Sequence, residues 1–471
     1  MNVAGTASTI ASQRQTGGSP SLVLGERKLL LFATDLGGVS AAMVLAVDSL
    51  HLLQPDWLRW EAVLAAVWLV CSAALDAYDL RYCSRAARGV LAGYRPLLAT
   101  FVIYLAIPYA TAPLLSSRLS VLIWITTSLL LVGLGRLAYA RLLTRPQFRR
   151  RAIIVGDATA ADELARALTA EAATDYALLG WVPAGDATAA APSLLRSLTG
   201  ESDLVTLVRS LQASEVIVAG QGAVPADLGS AIVDLYNDGI EVTQMGDLYE
   251  QLVGRIPVAH VPDHWYAALP RRAGGGRAYD VLRRAVDVLI AGAALVLALP
   301  ILLALAALIR LEGRGPVLYR QQRLGHLGRS FDIWKFRTMR VGSERDGDEV
   351  WAVRADPRRT RVGRFLRPTR LDELPQLWNV LLGDMTLIGP RPERPGFTRS
   401  LQQRIPFYRS RLLVKPGLTG WAQVKAHYAS NIDASLEKLQ YDLYYVKHRS
   451  PYLDLVIALK SLGVLLRASG T

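Results

Sequence analysis

The chain has 471 residues, 51% of them apolar, with a mean hydropathy of +0.24 and a formal net charge of +13. That length accommodates two or three domains. The basic residues cluster at the ends of apolar runs and do not interleave with aromatics on one face, which argues against nucleic acid and for a lipid bilayer as the partner. Cys71 and Cys83 are the two cysteines, one in an apolar run and one in a basic loop, so neither a disulfide framework nor a metal knuckle is expected.

Residues 1–24 are rich in Ser, Thr, Gly and Ala and read as a disordered cytoplasmic tail without a basic-then-apolar leader. Four apolar stretches follow at about 28–53, 57–78, 90–112 and 117–143, each close to the roughly 20 residues a helix needs to cross a bilayer. The loops set their orientation. Arg27 and Lys28 precede the first stretch, Arg81, Arg85 and Arg88 fill the second loop, and Arg145, Arg149, Arg150 and Arg151 follow the fourth. The first and third loops carry few cations, so both ends of a four-helix transmembrane bundle over 25–145 belong in the cytoplasm. Asp35, a charge inside the first stretch, is expected to face the interior of the bundle.

Residues 146–262 alternate strand and helix signals. Arg151–Val155 reads as a buried strand that turns at Gly156-Asp157 into a helix over about 160–168, with further strands at Ser214–Ala219 and Ile240–Thr243. This predicts a small Rossmann-like α/β domain with a parallel sheet. Ala158 and Ala161 stand where a dinucleotide fingerprint needs glycines, so a structural or regulatory domain is favoured over a nucleotide site. Pro270 and Gly274-Gly275-Gly276 mark 263–277 as a linker.

One more apolar run occupies 285–309. Arg271, Arg272, Arg277, Arg283 and Arg284 precede it and Arg310, Arg314, Arg320 and Arg323 follow, so both flanks want the same side of the membrane. Pro300 lacks an N–H and clashes with the carbonyl of Val296, predicting a kink or break there. A re-entrant helix that enters and leaves by one face suits this pattern better than a span, and it keeps the remainder of the chain cytoplasmic.

The segment 278–471 then becomes charged, aromatic and Pro-rich beyond the helix, as for an irregular α/β catalytic domain lying on the membrane. Three clusters stand out in it. In Phe331-Asp-Ile-Trp-Lys335-Phe-Arg337-Thr-Met339 the alternation of a strand puts Lys335 and Arg337 on one face, where two cations suit a diphosphate. In Arg367-Pro-Thr-Arg-Leu-Asp372-Glu373-Leu-Pro-Gln376-Leu-Trp-Asn379 two adjacent carboxylates sit among apolar residues, with Arg367 as a further phosphate-binding candidate. Such a pair needs a compensating cation; Mg²⁺ serves, and also bridges phosphate oxygens. A carboxylate so placed attacks phosphorus to give an acyl-phosphate, whereas the plain alternative is a pair that caps a helix and offsets its dipole. The third cluster, Gly383-Asp-Met-Thr-Leu-Ile-Gly389-Pro390-Arg391-Pro392, fixes Arg391 between two prolines, which suits a phosphate or a nucleotide edge.

Over about 277–470 these strings resemble the bacterial sugar transferases known as monotopic phosphoglycosyl transferases. The resemblance is carried by Arg-Gly-Pro-Val-Leu-Tyr-Arg from Arg314, Trp-Lys-Phe-Arg-Thr-Met from Trp334 and Leu-Asp-Glu-Leu-Pro-Gln-Leu-Trp-Asn-Val-Leu from Leu371. It continues in Gly-Asp-Met-Thr-Leu-Ile-Gly-Pro-Arg-Pro from Gly383 and Lys-Pro-Gly-Leu-Thr-Gly-Trp-Ala-Gln-Val from Lys415. The upstream organisation is similar to the large members that prime exopolysaccharide or O-antigen synthesis; Arg370 departs from the Ser that many members carry there. The resemblance implies that Asp372 attacks the β-phosphate of a UDP-sugar, releases UMP, and passes the phosphosugar to undecaprenyl phosphate. It implies that Glu373 holds Mg²⁺ with Asp372, that Lys335 and Arg337 neutralise phosphate, and that Pro390, Arg391 and Pro392 meet the uridine. Glucose is the first candidate sugar, and a homodimer is compatible with this organisation. A glycosyltransferase that releases UDP and a non-catalytic membrane scaffold or sensor are the alternatives. Tyr452–Leu466, apolar with Asp454 and Lys460, is expected to be an interfacial helix or to pack on the domain.

Overall fold

The structure is a computed structural model that describes residues 24–47, 56–107, 111–112, 117–184, 191–198, 203–220, 225–260, 276–340, 342, 358–426 and 431–466. The expected tail at 1–24 and linker at 263–277 lie outside the described residues except for Leu24, Gly276 and Arg277, which are helical. The chain divides into two compact units, Met1–Leu248 and Tyr249–Thr471.

In the first unit, α1 (Leu24–Ala46), α2 (Trp57–Ala74), α3 (Ala86–Ala106) and α4 (Arg118–Leu142) share one apolar core. Val39 and Met43, Leu64 and Trp68, Leu97 and Phe101, and Trp124 and Val132 are contributed by the four helices in turn. Leu45, Leu69, Leu98 and Leu130 stay exposed on the outside, as suits helices in a lipid solvent. By length and composition all four can cross a membrane, and so can a fifth helix in the second unit, so this is a membrane protein. The charge at Asp35 does face the interior. Arg136 of α4 meets it with Nη2 at 2.5 Å from Oδ2, both side chains fully buried, and its Nη1 donates to the Ala77 carbonyl at 2.7 Å. Neither ion is tolerable alone at that depth, so each side chain requires the other.

The rest of this unit is an α/β layer with a four-stranded parallel sheet in the order β2-β1-β3-β4. The strands are β1 (Arg150–Gly156), β2 (Tyr176–Val182), β3 (Glu215–Ala219) and β4 (Glu241–Gln244); β1 is followed by α5 (Ala158–Glu171), β2 by α6 (Leu204–Ser210), β3 by α7 (Ala226–Asn237) and β4 by α8 (Met245–Val253). Ile153, Ile154 and Val155 are fully buried at the centre, which is why β1 reads as a continuous apolar run. The edge strand β2 carries no alternating pattern and was not expected. Gly156 ends β1 at φ +137°, and a Cβ there would lie 1.6 Å from the Ala219 carbonyl oxygen, so the expected turn depends on glycine.

The second unit is built on α9 (Gly276–Glu312), a 37-residue helix that remains helical on both sides of Pro300. It is followed by an antiparallel hairpin of β5 (Leu318–Leu324) and β6 (Ser330–Phe336), then α10 (Arg361–Thr369), a 3₁₀ turn (Leu371–Glu373), α11 (Gln376–Leu382) and β7 (Thr386–Ile388). Next come α12 (Pro395–Gln402), β8 (Gly417–Thr419) parallel to β7, α13 (Trp421–Lys425), α14 (Ile432–His448) and α15 (Pro451–Leu466). Both arms of α9 dock on this domain. On the N-terminal arm, Ala291 packs with Ile333, Leu377, Val380 and Met385, and the buried Asp287 accepts from the Thr386 hydroxyl at 2.6 Å and the Leu387 N–H at 3.0 Å. Arg283 and Arg284, which the charge pattern marks only as flanking cations, donate to the carbonyls of Ile388, Val380 and Leu381. On the C-terminal arm, Leu305 and Ile309 pack with Phe336 and Leu366. Between the arms Val296 and Leu297 are 73% and 78% exposed. At the end of the chain, α15 packs on the domain: Val456 and Ile457 are buried, and Asp454 accepts from the hydroxyls of Tyr279 and Tyr445.

Removing one member of the buried pair in the first unit leaves an uncompensated ion, at a cost of about 3–5 kcal/mol. Arg136→Met is therefore expected to lower the thermal midpoint sharply in detergent, and the double variant Asp35→Leu/Arg136→Met to recover most of the loss. A double variant no better than the single one would show that the pair is not the source.

Candidate functional site

Glu373 organises the centre. The turn that carries it starts at Arg370, a non-glycine residue in the left-handed region at φ +55°, whose N–H bonds the Arg367 carbonyl and whose carbonyl accepts from the Glu373 N–H at 3.1 Å. That reversal turns Asp372 and Glu373 inward, and both are buried. Lys335 Nζ lies 3.1 Å and Arg391 Nη2 2.5 Å from the same oxygen, Glu373 Oε1.

Each cation is set by its own element. Lys335 comes from β6, which is fastened to α11 by the fully buried Asn379: its Oδ1 accepts from the Trp334 N–H at 3.1 Å and its Nδ2 donates to the Asp332 carbonyl at 2.7 Å. Arg391 follows β7. The Gly389 N–H donates to Thr419 at 2.8 Å and the Gly417 N–H to the Pro390 carbonyl at 2.9 Å, a crossing so close that a Cβ on Gly417 would lie 2.1 Å from the Gly389 nitrogen. Behind it the buried Arg411 donates to the Arg391 carbonyl at 3.0 Å and pairs with the buried Asp442 at 2.7 Å, and Arg323 donates to the Pro392 carbonyl at 3.2 Å. Pro390, Arg391 and Pro392 line a pocket with Leu324, Leu412 and Val414.

The structure thus brings together Lys335, Asp372, Glu373 and Arg391, with Pro390 and Pro392 beside them. Arg367 donates to the Thr338 hydroxyl at 3.1 Å, and its charge also acts on Asp372. Arg337 goes elsewhere. Strand β6 ends at Phe336, so the alternation that puts Arg337 on the face of Lys335 stops one residue short. Its guanidinium is buried against the carbonyls of Ile309, Gly313 and Arg314, where it neutralises the C-terminal end of α9. Pro300 lies within α9, among the exposed apolar residues between the two docked arms. Asn379 stands in the second cluster without an assigned role there, and two further positioning residues, which the motifs do not mark, are Arg411 and Asp442. The signal for the last two is a charge lodged among aliphatic and aromatic neighbours.

The two carboxylates have opposite electrostatics. Burial pushes Asp372 up to about 6, with Glu373 adding to the rise and Lys335, Arg367 and Arg391 opposing it. Burial also disfavours the Glu373 anion, but Arg391 and Lys335, by charge and hydrogen bond, outweigh it and hold that carboxyl well below the usual range. The Lys335 ammonium is lowered by burial, with Glu373 resisting. The compensating cations expected around the pair are therefore protein side chains in the case of Glu373. Asp372 accepts no hydrogen bond among the described residues, and Glu373 Oε2 is left out of both ion pairs. Mg²⁺ is commonly held by one or two carboxylates, with water and phosphate oxygens completing its shell, and this donor set fits that mode. Among the described residues no group of three or more His, Cys, Asp or Glu side chains gathers to hold a metal without a substrate.

Residues 278–468 match the family profile described as bacterial sugar transferase. The chain is 30% identical over 399 residues to a UDP-galactose-lipid carrier transferase of Erwinia amylovora, covering 80% of this chain and 81% of that one. The chain belongs to the bacterial sugar transferase family. It is also 41% identical over 231 residues to a UDP-N-acetylgalactosamine-undecaprenyl-phosphate N-acetylgalactosaminephosphotransferase of Aeromonas hydrophila, covering 49% of this chain. A third relative, the UDP-glucose:undecaprenyl-phosphate glucose-1-phosphate transferase of Escherichia coli (strain K12), is 40% identical over 179 residues, 38% of each chain. The chain spans about half the length of the Aeromonas relative, at 53%.

Glu373→Gln removes the acceptor that keeps two cations together, with Arg391 partly exposed and therefore partly screened. A loss of roughly 2–3 kcal/mol in unfolding free energy at pH 7 is expected from chemical denaturation. Because the folded carboxyl is depressed, its stabilisation is present above the usual Glu range and is lost as the pH falls through the folded value. Wild type should therefore keep its advantage over the variant at pH 5.

Proposed function

We propose that this protein transfers a sugar 1-phosphate from a UDP-sugar to undecaprenyl phosphate, releasing UMP and starting an exopolysaccharide or O-antigen repeat unit. The observation that carries the reading is a buried carboxylate without a hydrogen-bonded partner, Asp372, set beside a rigid triad of Lys335, Glu373 and Arg391. An acid so placed is a nucleophile in waiting: it is desolvated, not neutralised by contact, and surrounded by cations that suit a diphosphate.

In the first step an Asp372 carboxylate oxygen forms a bond to the β-phosphorus while the bond from that phosphorus to the bridging oxygen breaks, and UMP leaves with the electron pair. In the second, a phosphate oxygen of undecaprenyl phosphate attacks the same phosphorus, and the Asp372 carboxylate is released unchanged. Glu373 keeps Lys335 and Arg391 at the height of the phosphates, Arg367 adds charge on the Asp372 side, and the pocket along Pro390 and Pro392 takes the uridine end. Bound to Asp372 and Glu373 Oε2, Mg²⁺ would supply charge neutralisation on the diphosphate oxygens. The relatives' names include glucose, galactose and N-acetylgalactosamine, so the donor is a UDP-hexose or its N-acetylated form, with glucose the first candidate.

The placement of α9 supports a site at the headgroup level of the cytoplasmic membrane, facing the cytoplasm. Basic residues flank both ends of its apolar run, and Pro300, which lacks an N–H, stands within it. Both features favour a bend that returns the helix to the face it entered. In that arrangement the cytosolic donor and the membrane-bound acceptor reach one carboxylate.

Purified protein with Mg²⁺, undecaprenyl phosphate and a panel of UDP-sugars is expected to release UMP with at least one donor. Asp372→Asn should lower that rate by about three orders of magnitude or more. Without acceptor, wild type should gain the mass of one phosphosugar. UDP as the nucleotide product, or full activity in Asp372→Asn, would overturn the reading.

The pH dependence follows from Asp372. Attack needs its anion, so kcat/KM for the donor should fall on acidification with an inflection no higher than about pH 6. Lys335 is the largest of the charges lowering it, so the residual activity of Lys335→Met should show the inflection at higher pH.

A further inference from the structure

Four arginines recur at every third position on the approach to Asp372: Arg361, Arg364, Arg367 and Arg370. The first three lie on α10 and the fourth caps it, two residues before the nucleophile of the proposed reaction. Spaced by three, helix residues follow one another along a slowly turning stripe at about 4.5 Å of rise per step. Exposure is graded along the stripe: Arg361 and Arg364 are exposed, and Arg367 and Arg370 are half-buried. Arg367 is the member whose charge reaches Asp372. The outer two have no task in the fold: among the described residues neither Arg361 nor Arg364 makes an ion pair or a side-chain hydrogen bond.

The opposite face of α10 explains its position. Val362 and Leu366 pack against Leu302, Leu305, Ala306 and Ile309 of α9, the arm that follows Pro300. Gly363 lies so close to Thr338 that a Cβ would stand 2.1 Å from its carbonyl oxygen, and the Glu312 carboxylate accepts the Val362 N–H at 3.1 Å. The helix is therefore pinned along the membrane-associated arm with its arginines turned out. Phe365 is 61% exposed on that outer face next to Arg361 and Arg364, so cations and an aromatic ring share one face of α10. On α9, Leu303 is 63% exposed.

We propose that the outer face of α10 is the entry site for the acceptor: Arg361 and Arg364 take the phosphate of the polyprenyl phosphate and hand it along the stripe to Arg367 and Asp372, while Phe365 lies against its tail. This rests on the transfer reading above. The match is one of charge and shape. A phosphate monoester carries close to two negative charges at neutral pH and cannot leave the headgroup layer while its tail stays in the bilayer. Arg361 and Arg364 beside the exposed Phe365 offer both ends what they need, and arginine favours phosphate for its forked donors.

The test uses the full-length protein in phosphatidylcholine nanodiscs, comparing wild type, Arg361→Gln/Arg364→Gln and Arg361→Lys/Arg364→Lys. Retention of radiolabelled undecaprenyl phosphate reports binding independently of turnover, and steady-state UMP release gives KM for donor and acceptor separately. The expected result for the Gln pair is an acceptor affinity and acceptor KM weakened about tenfold, with donor KM unmoved and the Lys pair largely restored. The acceptor KM of wild type should also rise with salt more steeply than that of the Gln pair. Equal acceptor binding and KM in wild type and the Gln pair would overturn the proposal. So would a defect that appears only when phosphatidylglycerol is added, which would assign the face to bulk anionic lipid. If wild type binds the acceptor through these arginines yet releases no UMP with any donor, the reading of the reaction fails and the binding face stands.

Discussion

Glu373 is the residue on which the site depends, because it satisfies two cations that would otherwise repel each other around a buried carboxylate. Lys335 and Arg391 come from elements far apart in sequence, Lys335 half-buried and Arg391 partly exposed, and each is placed by packing that has no use for its charge. A single carboxylate oxygen draws them to one point and is itself kept ionised by them. Asp372, its neighbour in the chain, receives the opposite treatment: the same burial without contact partners leaves it hard to ionise. Two adjacent acids therefore differ in their electrostatics, and the proposed reaction gives the chemical role to Asp372 alone.

The supports behind this pair follow the same logic of buried polar groups that cannot be left unpaired. Asn379 exists to close two backbone groups of β6, and in doing so fixes the distance between the strand of Lys335 and the turn of Glu373. Arg411 and Asp442 do the equivalent for Arg391. At the membrane end, Asp287 and Arg283 bind backbone and side-chain groups at β7. What looks from composition like a helix flanked by topogenic charges is also a helix fastened by them.

Much of this was legible in the sequence. The apolar runs and their basic flanks mark the helices, Asp35 is announced by its setting, and the strings around Asp372, Lys335 and Arg391 mark the centre. The strand β2 escaped because an edge strand without alternation carries no period. Arg337 was misplaced because strand alternation holds only while the strand lasts, and β6 stops at Phe336. Arg411 and Asp442 lie 20 and 51 residues from Arg391, so no local pattern joins them to it. Compensation of the acidic pair was also legible as a need, though its source was not: for Glu373 the structure supplies it from two side chains.

Strand β6 and its end place four consecutive residues on four different duties. Trp334 is tied to α11, Lys335 to Glu373, Phe336 to the C-terminal arm of α9, and Arg337 to the Ile309 carbonyl in the last turn of that helix and the Gly313 carbonyl just beyond it. The strand therefore works as a ruler with the carboxylate pair at one mark and the apolar helix α9 at the next. Slippage of that helix in a bilayer cannot be absorbed between those marks, so its depth and the height of the proposed catalytic centre are one coordinate. A bilayer that is thinner or thicker than α9 prefers would then be sensed as a displacement of the centre relative to the lipid phosphates, without any ligand to report it.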